Sequence, residues 1–417
     1  MEGMYRTLLV FLLLAVPLRA ADYRTLTGQH ITLLTDVPPN REVDALPSYF
    51  DQAFEQWCEY FHVRSSDHRA WRVRGILLRG PESRQRFVAA GQMPADLWDF
   101  KSGYSIDRDL WLYDQTSDYY RRHLLLHEGV HCFMYSLLGG IGPPWYGEGM
   151  AELLATHKLE GQKLTVNYFP KAIEEVPKLG RIEMVRKAIN DGRWMSLPQI
   201  EEFDSRAHRQ NEPYGWCWAA AAFLDGHPRY RDRFRRMPEF VAGPNFAARF
   251  AKLFQADAAL LAEEFQVYLA NLDYAYDFAR MQLDLVAGQK LPVEGRTVKI
   301  PADRGWQSSG IRLEAGKTYR IHGEGRFQVA DDPRPWISEA AGVSIRYIDG
   351  HPLGMLLAAI RPDDFDATHT VTPLTQPQPV GARAELKPEQ SGTLYLRIND
   401  APGELSDNAG KLDVRVE

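Results

Sequence analysis

The chain has 417 residues, 45% hydrophobic and 25% charged, with no low-complexity tract, so it reads as a folded protein long enough for two cores. A formal net charge of −6, with both signs mixed along the chain, offers no clustered basic face of the kind nucleic-acid binding needs.

The N-terminus reads MEGMYRTLLVFLLLAVPLRAAD. Arg6, an apolar run over 8–16, Pro17 and the small residues Ala20 and Ala21 stand in the order of a secretory signal peptide, with cleavage after Ala20 or Ala21. An uncleaved anchor is the alternative, but the run is short for a bilayer span, which needs about 20 residues. No later segment is long and apolar enough to span. The expectation is a secreted or periplasmic chain without residues 1–21 and without a membrane span. Three cysteines, Cys58, Cys132 and Cys217, make no disulfide framework and are expected to be structural, whether reduced or once paired.

In chain order, HITLLTD (30–36) alternates as a strand, 43–61 has helical spacing, and RVRGILLRG (72–80) reads as another strand. KSGYSIDRDLWLYDQ (101–115) predicts two short strands around a turn at 107–109. The spacing predicts a helix over 119–138 that stops at Gly139-Gly140, and a second starting after Pro143-Pro144. Residues 170–285 read as mostly helical. Near 288 the helical period breaks. IRLEAG, TYRIHGEG, VSIRYI, GTLYLRI and LDVRV then alternate between turns, which predicts an antiparallel sandwich. The expected division is 22–287 and 288–417.

HEGVH places His127 and His131 one helical turn apart, so both imidazoles can meet one ion, while Glu128 projects to the side and could polarise a metal-bound water. Zinc in a catalytic site takes three protein ligands and leaves a fourth position for water. PPWYGEGMAE (143–152) offers Glu148 and Glu152 on one face of the returning helix. One carboxylate can ligate; the other can accept the free N–H of a ligating histidine. His123, one turn before His127, is expected to lie too far along the axis and to be partly solvated.

HExxH followed by W-Y-G-E-G-M-A-E resembles the gluzincin zinc metallopeptidases, peptidase-MA-like exported proteins in particular. The resemblance implies a thermolysin-like, mainly helical domain with a small sheet. By position it makes His127, His131 and Glu148 zinc ligands, Glu128 the general base and Glu152 the acid behind the ligands. It implies hydrolysis of peptide bonds in a peptide or protein substrate by a Glu-activated, zinc-bound water. Tyr214, in NEPYGWCWAAAAFL, matches the helix that carries an oxyanion donor, with His208 as a rival and packing against Trp216 and Trp218 as the plain alternative. No exopeptidase loop of the G-x-M-E-N type is evident.

Near the C-terminus, LYLRINDAPGELSDNAGKLDVRV (394–416) holds Asn399, Asp400, Glu404, Asp407 and Asn408 between two strands. Such a loop is either a solvated turn or a wrap for a hard cation. The stretch resembles the last strands of the calcium-dependent galactophilic lectins (PA-I type), and GWQSSGIRLEAGKTYRIHGEGRF fits their opening strands. That likeness implies a jelly-roll, galactose-binding-like sandwich. It further implies calcium held by side-chain oxygens of Asp400, Asp407 and Asn408 and by backbone carbonyls of Glu404 and Val329. It also implies a glycan ligand, although PRPWISEAAG (333–342) lacks the family's His and Gln; Trp336 is there either to stack on a sugar or to serve the core. The reading is a multidomain α+β, secreted zinc metallopeptidase with a calcium-binding, glycan-targeting domain. Its rival is a non-catalytic carbohydrate-binding protein on a degenerate peptidase scaffold.

Overall fold

The computed structural model describes residues 23–417, apart from the side chain of His208, so the signal-peptide expectation for 1–21 lies outside the described residues. The described residues are mixed α and β, with several sheets and no barrel among them. Its first sheet comprises β1 (Arg24–Thr27), β2 (Ile31–Thr35), β3 (Val73–Leu78), β4 (Gly103–Ile106) and β5 (Asp109–Tyr113), in the order β1-β2-β3-β5-β4. β2, β3 and β5 run parallel, and β1 and β4 close the two edges antiparallel. Parallel neighbours need crossovers. These are α1 (Arg41–Tyr60), whose first turn Asn40 caps by accepting from Val43 N at 2.9 Å, and α2 (Pro81–Ala89).

Alternation sends successive strand residues to opposite faces. Ile31, Leu33, Leu110 and Leu112 join a core with Phe50, Phe54 and Trp57 of α1. Leu34, Ile76, Leu78 and Trp111 face Phe87 and Phe100 on the other side. α3 (Asp118–Leu137) lies within the first core, with nearly all its residues between Tyr119 and Met134 buried. α4 (Pro144–Ala155) returns beside it. A hairpin of β6 (His157–Glu160) and β7 (Lys163–Val166), which the periodicity did not predict, follows. Then come α5 (Arg181–Asn190), α6 (Leu197–Glu201), α7 (Glu212–Gly226), α8 (Arg231–Phe234), α9 (Phe246–Phe254) and α10 (Ala258–Ala270). The helical expectation to 285 is too long. Beyond Ala270 the chain is an irregular strap whose Leu272, Tyr276, Met281 and Leu283 are buried, so their spacing reflects burial without a helix.

The strands expected after 288 are present, with others the sequence reading passed over. They are β8 (Gln289–Lys290), β9 (Arg296–Pro301), β10 (Gln307–Leu313), β11 (Tyr319–Glu324), β12 (Phe327–Ala330), β13 (Trp336–Ser338), β14 (Ala341–Ile348), β15 (His351–Pro362), β16 (Gln378–Pro379), β17 (Arg383–Leu386), β18 (Gly392–Ile398) and β19 (Lys411–Val416). One sheet runs β14-β15-β18-β10-β8 with β16 against β15, and another runs β17-β11-β19-β9. Pairing is antiparallel except for the short β8–β10 contact. Ile311, Leu356, Leu394 and Leu396 of the first sheet and Ile300, Ile321, Leu412 and Val414 of the second make one apolar core.

The two cores meet at a small cluster of Val267, Leu283, Trp306, Leu357 and Tyr395. Around it, Glu263, 1% exposed, accepts from Arg361 Nε at 2.9 and 3.0 Å and from Thr372 Oγ1 at 2.8 Å. Gln266 Nε2 donates to Ala367 O at 2.8 Å, and Gln266 Oε1 accepts from Thr372 N at 2.7 Å. A buried carboxylate stripped of its cation is costly. Burial already raises the Glu263 pKa despite Arg361. Arg361→Met is therefore expected to destabilise the chain by roughly 3 kcal/mol at neutral pH, and by less as acid protonates Glu263. Denaturant unfolding across pH measures this, and an unchanged midpoint at neutral pH contradicts it.

Candidate metal centre

α3 starts at Ser117, whose hydroxyl accepts from Tyr120 N at 3.2 Å, and brings His127 and His131 onto one face. After α3 ends, the turn at 139–143 aims α4 back along it, with Pro144 in the first helical turn. Gly149 is what lets α4 press on α7: a Cβ there would lie 2.8 Å from Cys217 O. Glu148 then faces both histidines. His127 Nε2 and His131 Nε2 are 3.2 Å apart, and Glu148 Oε2 lies 3.2 Å from the first and 3.4 Å from the second. A tetrahedral zinc about 2.0–2.1 Å from each of three ligands holds them roughly 3.3–3.4 Å apart. The triangle fits that geometry. Glu148 Oε2 is buried, and the two imidazole nitrogens are the groups it faces. This His-His-Glu group, with His127 buried and His131 and Glu148 partly so, can bind a metal.

Burial opposes charge on both sides of the triangle. Against it, the histidines hold the Glu148 carboxyl well below the usual range, and Glu148 and Glu152 push His127 up to about 10.

Glu152, 1% exposed, stands one turn further along α4. Arg181 Nε and Nη2 donate to its two oxygens at 2.8 and 2.7 Å, while His127 Nδ1 lies 3.3 Å and His123 Nε2 3.2 Å away. Burial raises the Glu152 pKa, but Arg181 and His123 outweigh it and hold the carboxyl well below the ordinary range. His123, His127 and Glu152 form a second group that could hold a metal. There His127 presents Nδ1 and the carboxylate is already taken by a guanidinium, so this trio orients His127 toward the first. The solvated position expected for His123 is corrected: it is fully buried beside Tyr119 and Tyr120, because α3 is covered on that side too.

Glu128, 7% exposed, accepts from Ser105 Oγ at 2.7 Å, and a Cβ at Gly103 would lie 2.6 Å from its Oε1. The edge strand β4 therefore runs directly over this carboxylate. The Tyr214 ring centroid lies 5.9 Å from that of His127, with Arg181 Cζ 5.6 Å from the tyrosine ring. Burial, then the fields of Glu148, Glu128 and Glu152, raise its phenol pKa, so it stays a donor. Arg181 and Ser105 were not legible beforehand. The one available signal was that two carboxylates on an apolar helix need partners. Cys58, Cys132 and Cys217 are buried and joined by no disulfide, and burial pushes the Cys58 thiol up to about 12.

In the C-terminal loop, Asp400 and Asn408 are buried and joined by Asn408 Nδ2 donating to Asp400 Oδ2 at 2.8 Å. Burial pushes the Asp400 carboxyl up to about 7. Asn408 Oδ1 and Asp407 Oδ1 are buried without hydrogen-bond partners. The Glu404 side chain is engaged by Arg346 Nη2 at 2.6 and 2.8 Å, which leaves its backbone carbonyl as the group the resemblance implies. Val329 is buried on β12, next to Gln328, whose Nε2 donates to Asp407 O at 2.7 Å. Trp336 is half-buried against the second core.

No family model matches the chain, and no curated protein matches it. Among solved structures it is similar to the N-terminal domain of EclA, a PllA-like lectin, at 21% identity and a TM-score of 0.22, over 29% of this chain and 92% of that one. It is also similar to IMPa from Pseudomonas aeruginosa in complex with an O-glycopeptide, at 15% identity and a TM-score of 0.18. That match covers 60% of this chain and 24% of the other. Neither score reaches the level at which a shared fold follows.

With His127 raised to about 10, its imidazole is protonated at neutral pH in the metal-free chain, and an ion reaches Nε2 only by displacing a proton. Zinc uptake at neutral pH should release about one proton, and apparent affinity should fall as pH falls. Calorimetric titration in buffers of different ionisation enthalpy reads the release; binding without it contradicts the assignment.

Proposed function

We propose that the chain is an exported zinc metallopeptidase of gluzincin type, with 22–287 as the peptidase domain and 288–417 as a lectin-like, jelly-roll sandwich. The observation that carries this reading is the triangle of His127 Nε2, His131 Nε2 and Glu148 Oε2, with sides of 3.2, 3.2 and 3.4 Å. Zinc held there supplies a Lewis acid that polarises a carbonyl and acidifies water. The remaining work falls to the chain's own residues. Glu128, fixed by the 2.7 Å bond from Ser105, accepts the proton of the attacking water and returns it to the leaving amine. Tyr214, kept protonated by burial, donates toward the developing oxyanion. β4 ends its sheet, so an extended peptide can add to its open edge through main-chain hydrogen bonds and lie alongside Glu128.

In the second half, the orphaned oxygens of Asp407 and Asn408 and the buried Asp400 support a calcium site, with the Glu404 and Val329 carbonyls completing it. This half serves as a glycan tether, which raises the effective concentration of the peptidase at a glycosylated surface. No helix among the described residues is long and apolar enough to cross a membrane.

Glu128→Gln keeps the size of the side chain and removes its basicity. Zinc content should be unchanged while cleavage of a quenched-fluorescence peptide library falls by roughly 100-fold or more. Equal cleavage in both proteins removes Glu128 as the base. Zinc without cleavage by either protein favours the non-catalytic, carbohydrate-binding alternative.

A further inference from the structure

We infer that the 399–410 turn is a clamp between the two halves, in which bound calcium fixes the seat of the sandwich on the peptidase half; this rests on the calcium reading above. The turn has two faces. One carries the oxygens of Asp400, Asp407 and Asn408, of which Asn408 Oδ1 is buried in a residue only 7% exposed and has no partner. The other face, Pro402 to Leu405, is pressed into the strap that follows α10. Pro402 O accepts from Asp277 N at 3.1 Å. Gly403 approaches so closely that a Cβ there would lie 2.7 Å from both Ala275 Cβ and Tyr274 O. Ala275 itself has φ +58, a left-handed conformation rarely adopted by a residue with a side chain, and its N–H donates to Pro170 O at 2.8 Å. Leu405, 2% exposed, belongs to the core of the first half although it lies far beyond 287 in the chain.

The seat residues thus sit between the ligands in sequence, with Asp400 before them and Asp407 and Asn408 after. The turn's own bonds, Glu404 N to Ala401 O at 3.0 Å and Asp407 N to Glu404 O at 3.3 Å, link the two faces. Glu404 and Asp407 repel Asp400, Asp331 and Glu404 repel Asp407, and the guanidiniums of Arg346 and Arg397 are the cations that face this group. Four carboxylates against two guanidiniums leave a net negative charge around the turn. A divalent ion drawing Asp400, Asp407 and Asn408 together relieves that repulsion and shortens the path on which Pro402 to Leu405 are hung. Calcium here acts on the peptidase half through packing.

The test is hydrogen exchange of peptides covering 271–281 in the full chain, with and without calcium, beside calorimetric titration of calcium alone. In the wild type, calcium at about 100 times its Kd should slow exchange by up to roughly 100-fold, if opening the seat releases the ion. Asp407→Ala should abolish both binding and slowing. Gly403→Val should keep calcium binding and lose the slowing. Should Gly403→Val fail to fold, Leu405→Ala trims the same seat and is expected to reduce the slowing without loss of binding. Calcium bound with no change over 271–281 in the wild type overturns the clamp and leaves the calcium site standing. No calcium bound at all removes the site and the clamp with it.

Discussion

Glu152 is the carboxylate on which the centre depends. At 1% exposure it could not stay charged without a cation, and Arg181 supplies one through two bonds of 2.7 and 2.8 Å. Held so, it faces His127 Nδ1 and leaves Nε2 pointing at His131 and Glu148. Which nitrogen of an imidazole is available is set by what holds the other one. The Arg181 guanidinium also lies over the Tyr214 ring, so one buried cation positions both the ligand face and the neighbouring phenol.

The scaffold serves that arrangement by packing. α3 lies between the sheet and the later helices, and α4 can reach it only because Gly149 lets α4 and α7 approach closely. On the sheet side, β4 is short, ends its sheet among the described residues, and is anchored to Glu128 through Ser105. Candidate metal ligands, the acid beside them and an edge strand are thereby brought together from three separate elements. On the proposed reading, these are the parts a peptide hydrolase needs.

Much of this was legible in the residues because the decisive signals are local. HEGVH and the glutamates at 148 and 152 each lie on one helix, and the Gly-Gly and Pro-Pro pairs mark where α3 ends and α4 begins. The short strands after 288 showed their alternation. What escaped were contacts that depend on tertiary placement. Arg181 meets Glu152 across 29 positions, and Ser105 meets Glu128 across 23. The strap after Ala270 misled for a related reason, since residues buried from an irregular path can imitate helical spacing. The one-dimensional pattern puts His123 in a partly solvated position because it does not show the residue's neighbours in space. Leu405 likewise reads as one more turn residue, yet it packs in the core of the other half.

X-ray absorption at the zinc edge, on protein purified without added metal and then loaded with one equivalent, examines the ligand set without relying on turnover. Two imidazoles and a carboxylate predict a shell of nitrogen and oxygen only, at about 2.0–2.1 Å, with outer-shell scattering from two histidine rings. A sulfur shell, a single histidine, or a spectrum left unchanged by Glu148→Ala would contradict the centre described here.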